Sequence, residues 1–179
     1  MQIKAYGAES WLFPNSCGGA DKAELHTARN SYANVQLKVE NLKKSAVWSL
    51  EFEGSAFTDI RLYRLLRVTV NRNSDFFEPL DTKSRTRAEL EKYFTKKAPF
   101  EVYDPLEPIE GKTVELPVDA LYLSVKIPTD TAPGCYKGVF RLFVGAETAE
   151  LPIGIKVYGA AVPTERRLNM ANWTEPSPA

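Results

Sequence analysis

Hydrophobic residues recur at every second position over much of the chain. Val35, Leu37 and Val39 alternate with Gln36, Lys38 and Glu40, and Trp48, Leu50 and Phe52 alternate with Ser49, Glu51 and Glu53. Leu121, Leu123, Val125 and Ile127 alternate with Tyr122, Ser124 and Lys126. Tyr136, Phe140, Leu142 and Val144 share a face with Gly138, and Leu151, Ile153, Ile155 and Val157 share another. A period of two marks a half-buried strand, because successive side chains point to opposite faces of a sheet. Shorter runs at Ile3–Tyr6, Glu24–Ala28 and Leu62–Asn71 predict three further strands.

The breaks carry turn chemistry. Asn41–Ser45 separates two strands at a hairpin length, Pro128–Gly134 the next pair, and Gly145–Glu147 the pair after that. Proline fixes φ and glycine reaches positive φ, so Pro133-Gly134 reads as a tight turn. Short strands, frequent turns and almost no helical periodicity predict an all-β fold. The expected form is an antiparallel, immunoglobulin-like β-sandwich of about eight or nine strands.

One stretch departs from the pattern. Residues 73–118 show no long alternating run and read as an insertion. Within it, Thr86-Arg87-Ala88-Glu89 has the form of a capping box, in which hydroxyl and carboxylate satisfy orphan backbone donors reciprocally. Leu90, Tyr93 and Phe94 follow at helical spacing, which predicts a short helix from Arg87 to Thr95. Long insertions in compact domains serve function or interfaces.

Composition narrows the function without naming one. The 179 residues carry 23 basic and 23 acidic side chains, so the electrostatic footprint of a general nucleic-acid binder is missing. The charge is nevertheless uneven. Residues 61–97 hold ten basic and five acidic residues, and residues 101–119 hold six acidic and one basic. The two stretches read either as solvated faces or as a dipolar surface that orients a neighbouring domain. No window approaches the roughly 20 apolar residues of a membrane-spanning helix, and the N-terminus lacks a signal-peptide pattern. The expected location is therefore cytoplasmic, or secreted with a leader already removed.

Candidate chemistry is sparse. One histidine, His26, and two cysteines, Cys17 and Cys135, are too few for a four-ligand structural zinc site, and no metal or cofactor is expected. Gly18-Gly19 lacks the lysine and strand-to-helix setting of a phosphate loop. The two cysteines read as buried free thiols, pairing only if the fold brings their Cα atoms within about 7 Å. Trp48, Phe52, Tyr136 and Phe140 fall on strand faces and read as core. Trp11, Phe13, Phe76, Phe77, Tyr93, Phe94, Phe100 and Tyr103 fall off the strand pattern. Such aromatics pack beneath an insertion, anchor a neighbouring domain, or stack on sugar rings.

Three stretches carry a resemblance. Thr27-Ala28-Arg29-Asn30-Ser31 through Gln36-Leu37 resembles an A-R-N-E-x-x-x-x-Q-L/V strand pair, with Ser31 in place of the usual glutamate. Tyr103-Asp104-Pro105-Leu106-Glu107-Pro108 is similar to a Y/P-D-P-L-x-P loop. Val125 through Gly138 is similar to a V-x-V-P-x-D-x-x-P-G-x-Y-x-G hairpin. In this order they resemble the N-terminal sandwich of glycoside hydrolase family 123-like proteins. The resemblance implies a β-sandwich over residues 1–163. It also implies a linker and the first strand of a (β/α)8 barrel over 164–179, with Asn169–Trp173 as that strand.

In such proteins the catalytic acids stand on the barrel, so the resemblance transfers no catalytic residue to this chain. For the parent protein it implies β-N-acetylgalactosaminidase-like hydrolysis assisted by the substrate's acetamido group. The chain itself is then a non-catalytic module that supports or rims the barrel, with that barrel as partner, a glycan as a second one, and neither nucleic acid nor membrane. Trp11, Tyr93, Phe94, Tyr103, Asp104 and Trp173 are the candidate carbohydrate or interdomain contacts. The alternatives are a carbohydrate-binding module and a structural adhesion or scaffold domain.

Overall fold

A computed structural model describes residues 1–54, 57–73 and 95–165. The chain order is β1 (Gln2–Gly7), β2 (Ala23–Arg29), β3 (Ser31–Glu40), β4 (Ala46–Phe52), β5 (Ile60–Val70), β6 (Phe100–Pro108), β7 (Thr113–Val114), β8 (Ala120–Ile127), β9 (Gly134–Val144) and β10 (Glu147–Ala161). The first sheet has the order β1-β3-β8-β5-β6 and the second β2-β10-β9-β4-β7. The fold is all-β, and no helix occurs among the described residues. The expected helix over residues 87–95 lies outside them, apart from Thr95.

The alternating positions face inward from both sheets into one core. Val35, Leu37, Leu121, Leu123 and Val125 from the first sheet meet Trp48, Phe140, Leu142, Leu151, Ile153 and Ile155 from the second. Burying each such side chain contributes about 1.5–3 kcal/mol relative to exposure. Trp48 stacks on Phe140 with ring centroids 6.3 Å apart, and its indole N–H donates to Gly111 O at 3.1 Å. Phe57 closes one end, edge-on to both Phe52 and Tyr136 at 5.0 Å. Tyr136 is half-buried, and its hydroxyl donates to Ala132 O at 2.7 Å, tying β9 to the turn that precedes it.

Several expectations are corrected. The sandwich is not wholly antiparallel, because β10 pairs with β2 in parallel. Asn41–Ser45 and Pro128–Gly134 do not close hairpins. β3 and β8 lie in the first sheet and β4 and β9 in the second, so both connections cross between layers. Only the last turn joins paired neighbours. There β9 meets β10 through Gly145-Ala146, with Gly145 at φ 60°, where a side chain would be strained.

The stretch expected to lack a long strand contains nine-residue β6, which pairs with β5 across a register irregularity between Leu65 and Arg67. It hides from a period-two reading because it is a sheet edge. Everything after Tyr103 in it is exposed, and Pro105 and Pro108 suit an unpaired edge.

Residues of the resembling motif have definite tasks. Asn30 alone joins β2 to β3 across the layers, in the left-handed region at φ 54°. Its amide donates to Val162 O at 2.8 Å, Val162 N donates to Arg29 O at 2.9 Å, and the Arg29 guanidinium donates to Gly159 O at 2.8 Å. The corner thereby grips the far end of β10.

Candidate functional site

A sandwich has two outer faces, and the first sheet's is partly covered by residues 8–22, between β1 and β2. Leu12 is the plug, 1% exposed, and packs on Leu65, Tyr103 and Ala120 in a second small core. The backbone around it is tied down from the sheet. Gln36, an outward-facing position of β3, is buried and donates its amide to Gly7 O and Ser10 O, both at 2.7 Å. Lys38 donates to Ser16 O at 2.5 Å, and Tyr103 N donates to Leu12 O at 3.0 Å. Lys96 lies 4.2 Å over the Phe13 ring, which meets Phe100 edge-on at 5.8 Å.

Beside the plug the strap leaves an open pocket of about 270 Å³. Trp11, 60% exposed, and Asp104 stand at its rim, with Tyr122 and Leu106 from the sheet. Tyr63 meets Tyr122 edge-on at 6.4 Å and continues the aromatic surface across the sheet. Three of the six expected contact residues, Trp11, Tyr103 and Asp104, are therefore brought together. Tyr93, Phe94 and Trp173 lie outside the described residues, as do Phe76 and Phe77.

Tyr103 is buried under the strap rather than offered at the surface. Its hydroxyl has no hydrogen bond of good geometry among the described residues, and burial pushes the phenol well above its ordinary range. Burial also raises the half-buried Tyr122 phenol. Sequence reasoning missed Tyr122 and Gln36, which look like ordinary polar-face residues of their strands. Only the strap makes them different.

Part of the uneven charge pairs across the edge of the first sheet. Arg64 meets Glu107 at 3.2 Å, while Arg67 meets Glu101 at 3.4 Å and also Asp119. The Asp119 hydrogen bond holds the Arg67 guanidinium above its already high ordinary value. Three acids of the acidic stretch thus answer two arginines of the basic one. Pairs this exposed contribute at most about 1 kcal/mol each.

The outer face of the second sheet carries a wider depression of about 800 Å³. Some of its charges pair: Lys22 meets Glu24 at 3.0 Å, and Arg141 meets Glu51 at 3.1 Å and, outside the depression, Glu150 at 2.7 Å. His26 shares a 2.8 Å hydrogen bond with Tyr158 at its edge. Cys135 lines it as an exposed free thiol, and Cys17 is exposed and free on the strap, so the expectation of buried thiols is corrected. Both sit at positions where no inward face takes them. Among the described residues no group of histidine, cysteine and carboxylate side chains could hold a metal ion.

Two five-stranded sheets around one core, with a strapped outer face, define the class: a β-sandwich. No protein family and no curated protein matches the chain. Among solved structures, 90% of it superposes on a family 123 glycoside hydrolase from Clostridium perfringens, with a TM-score of 0.57 at 9% identity. The chain spans 28% of that enzyme's length. The N-terminal domain of PorA aligns over 89% of this chain and 100% of its own, with a TM-score of 0.36 at 11% identity. BspA_C_mut aligns over 87% of this chain and 51% of its own, with a TM-score of 0.35 at 12% identity. The first similarity is one of fold, and the other two are too loose to carry an argument.

Proposed function

We propose that this chain is a non-catalytic, immunoglobulin-like sandwich module of a glycoside hydrolase, with residues 1–163 forming the module and 164–179 leading into a catalytic barrel. The observation that carries the reading is the superposition of 90% of the chain on 28% of a family 123 glycoside hydrolase. The motif residues support it, since Arg29 and Asn30 secure the end of β10 from which the chain continues.

The test compares two proteins on 4-nitrophenyl N-acetyl-β-galactosaminide. This chain alone releases no nitrophenol, and the product of the whole reading frame does. Turnover by the chain alone would overturn the reading. So would a reading frame that encodes tandem sandwiches and no barrel, which is the adhesion or scaffold alternative.

A further inference from the structure

An exposed tryptophan on a mobile loop needs no explanation. Trp11 is different, because both sides of it are immobilised. Ser10 O is held by Gln36, and Leu12 is the plug, its own carbonyl held by Tyr103 N. The indole is thus presented at 60% exposure from a backbone that has already lost its freedom. Preorganisation of this kind lowers the entropic cost of binding a ligand.

The pocket beside Trp11 has a definite chemistry. Tyr122 and Leu106 supply apolar walls, and Glu9 and Asp104 supply two exposed carboxylates, with Ser10 and Gln36 as further polar groups. No basic side chain lines it among the described residues. The volume of about 270 Å³ falls just below the roughly 300 Å³ at which drug-sized ligand pockets begin, so it admits one ring rather than a chain.

We propose that this pocket is a binding subsite for a single neutral pyranose, stacked by its C–H face on Trp11 with ring hydroxyls donating to Asp104. Anionic sugars are repelled by the two carboxylates. A flat, open aromatic face with acceptors at its edge suits a polyol ring, whereas a quaternary ammonium ion is held by an enclosing cage. The proposal rests on the glycoside-hydrolase module reading only for the choice of hexosamines as probes.

The experiment titrates the chain with N-acetylgalactosamine, N-acetylglucosamine, galactose, glucose, glucuronate and choline, followed by tryptophan fluorescence and calorimetry. The expected result is saturable binding of at least one neutral sugar, with Kd near about 1 mM and no binding of glucuronate. Trp11→Ala and Asp104→Asn, both exposed and so neutral for folding, each weaken it at least about tenfold, with Tm unchanged. No neutral sugar binding up to about 100 mM, choline binding in place of sugar, or affinity unchanged in both variants would overturn the proposal. A flat titration of a hydrolytically inert chain removes the subsite and leaves the module reading standing.

Discussion

Leu12→Ala tests whether the strap is part of the folded unit. The leucine is 1% exposed and sits between Leu65, Tyr103 and Ala120, so truncation removes buried methyl and methylene carbons and leaves a space that the strands beneath cannot fill. At about 0.8 kcal/mol per buried carbon the transfer loss is about 2 kcal/mol, and the residual cavity raises the total to about 3 kcal/mol. For a chain of this size that corresponds to a Tm lower by about 6–12 °C.

The strap could instead detach locally, which would cap the loss below the full cavity cost. Guanidinium unfolding with amide exchange separates the two outcomes. An integral strap loses stability globally, with one transition and slower-exchanging amides weakened together. A peripheral strap loses protection only at Tyr103 N and its neighbours. A global loss under about 1 kcal/mol with the Tyr103 amide still protected would refute the argument that Leu12 anchors this segment.

Tyr103 predicts alkaline lability. Its folded phenol titrates above the unfolded one, so the stability from keeping it protonated is whole below about pH 10 and is lost as pH rises beyond it. Denaturation between about pH 9 and 12 should show that decline, and Tyr103→Phe should make it shallower, with Tyr122 still contributing, while costing little at neutral pH, since the hydroxyl lacks a well-formed hydrogen bond. An equal decline in the variant contradicts the assignment. Gly138→Ala should destabilise by about 1–3 kcal/mol, because a Cβ there would lie 2.7 Å from Glu51 O and 2.6 Å from the Phe52 ring. Thermal unfolding of the variant checks this, and an unchanged midpoint counts against the close packing of β9 on β4. Cys17 and Cys135 should both react with a thiol reagent in the native protein at rates close to those in denaturant.

Strands whose one face is buried and the other wet announce themselves, as at Trp48–Phe52 and Leu151–Val157. The distribution of strands between the layers does not. A five-residue break such as Asn41–Ser45 has the same length whether it turns back beside its strand or crosses to the other sheet. β6 is hidden for another reason: Val102 and Tyr103 are buried side by side, and Asp104 and two prolines interrupt the alternation beyond them. The pocket was half legible. Trp11 stands out as an aromatic without a place on any strand face, and Asp104 through the Asp-Pro-Leu motif. Tyr103 looked equally placeless, and only the strap laid over it turns an exposed ring into a buried one.

The grip of Arg29 and Asn30 on Gly159 and Val162 also has a mechanical meaning. β10 is paired with β9 from Glu147 to Val157, and on its other side with β2 from Ile153 to Val157 and again at Ala161. Tension applied beyond residue 162, along the strand axis, meets those ladders in shear, with the Asn30 corner taking the first load. Hydrogen bonds sheared together yield at higher force than bonds peeled one at a time. The sandwich therefore resists a pull along β10 more strongly than one that peels the strand from its neighbours.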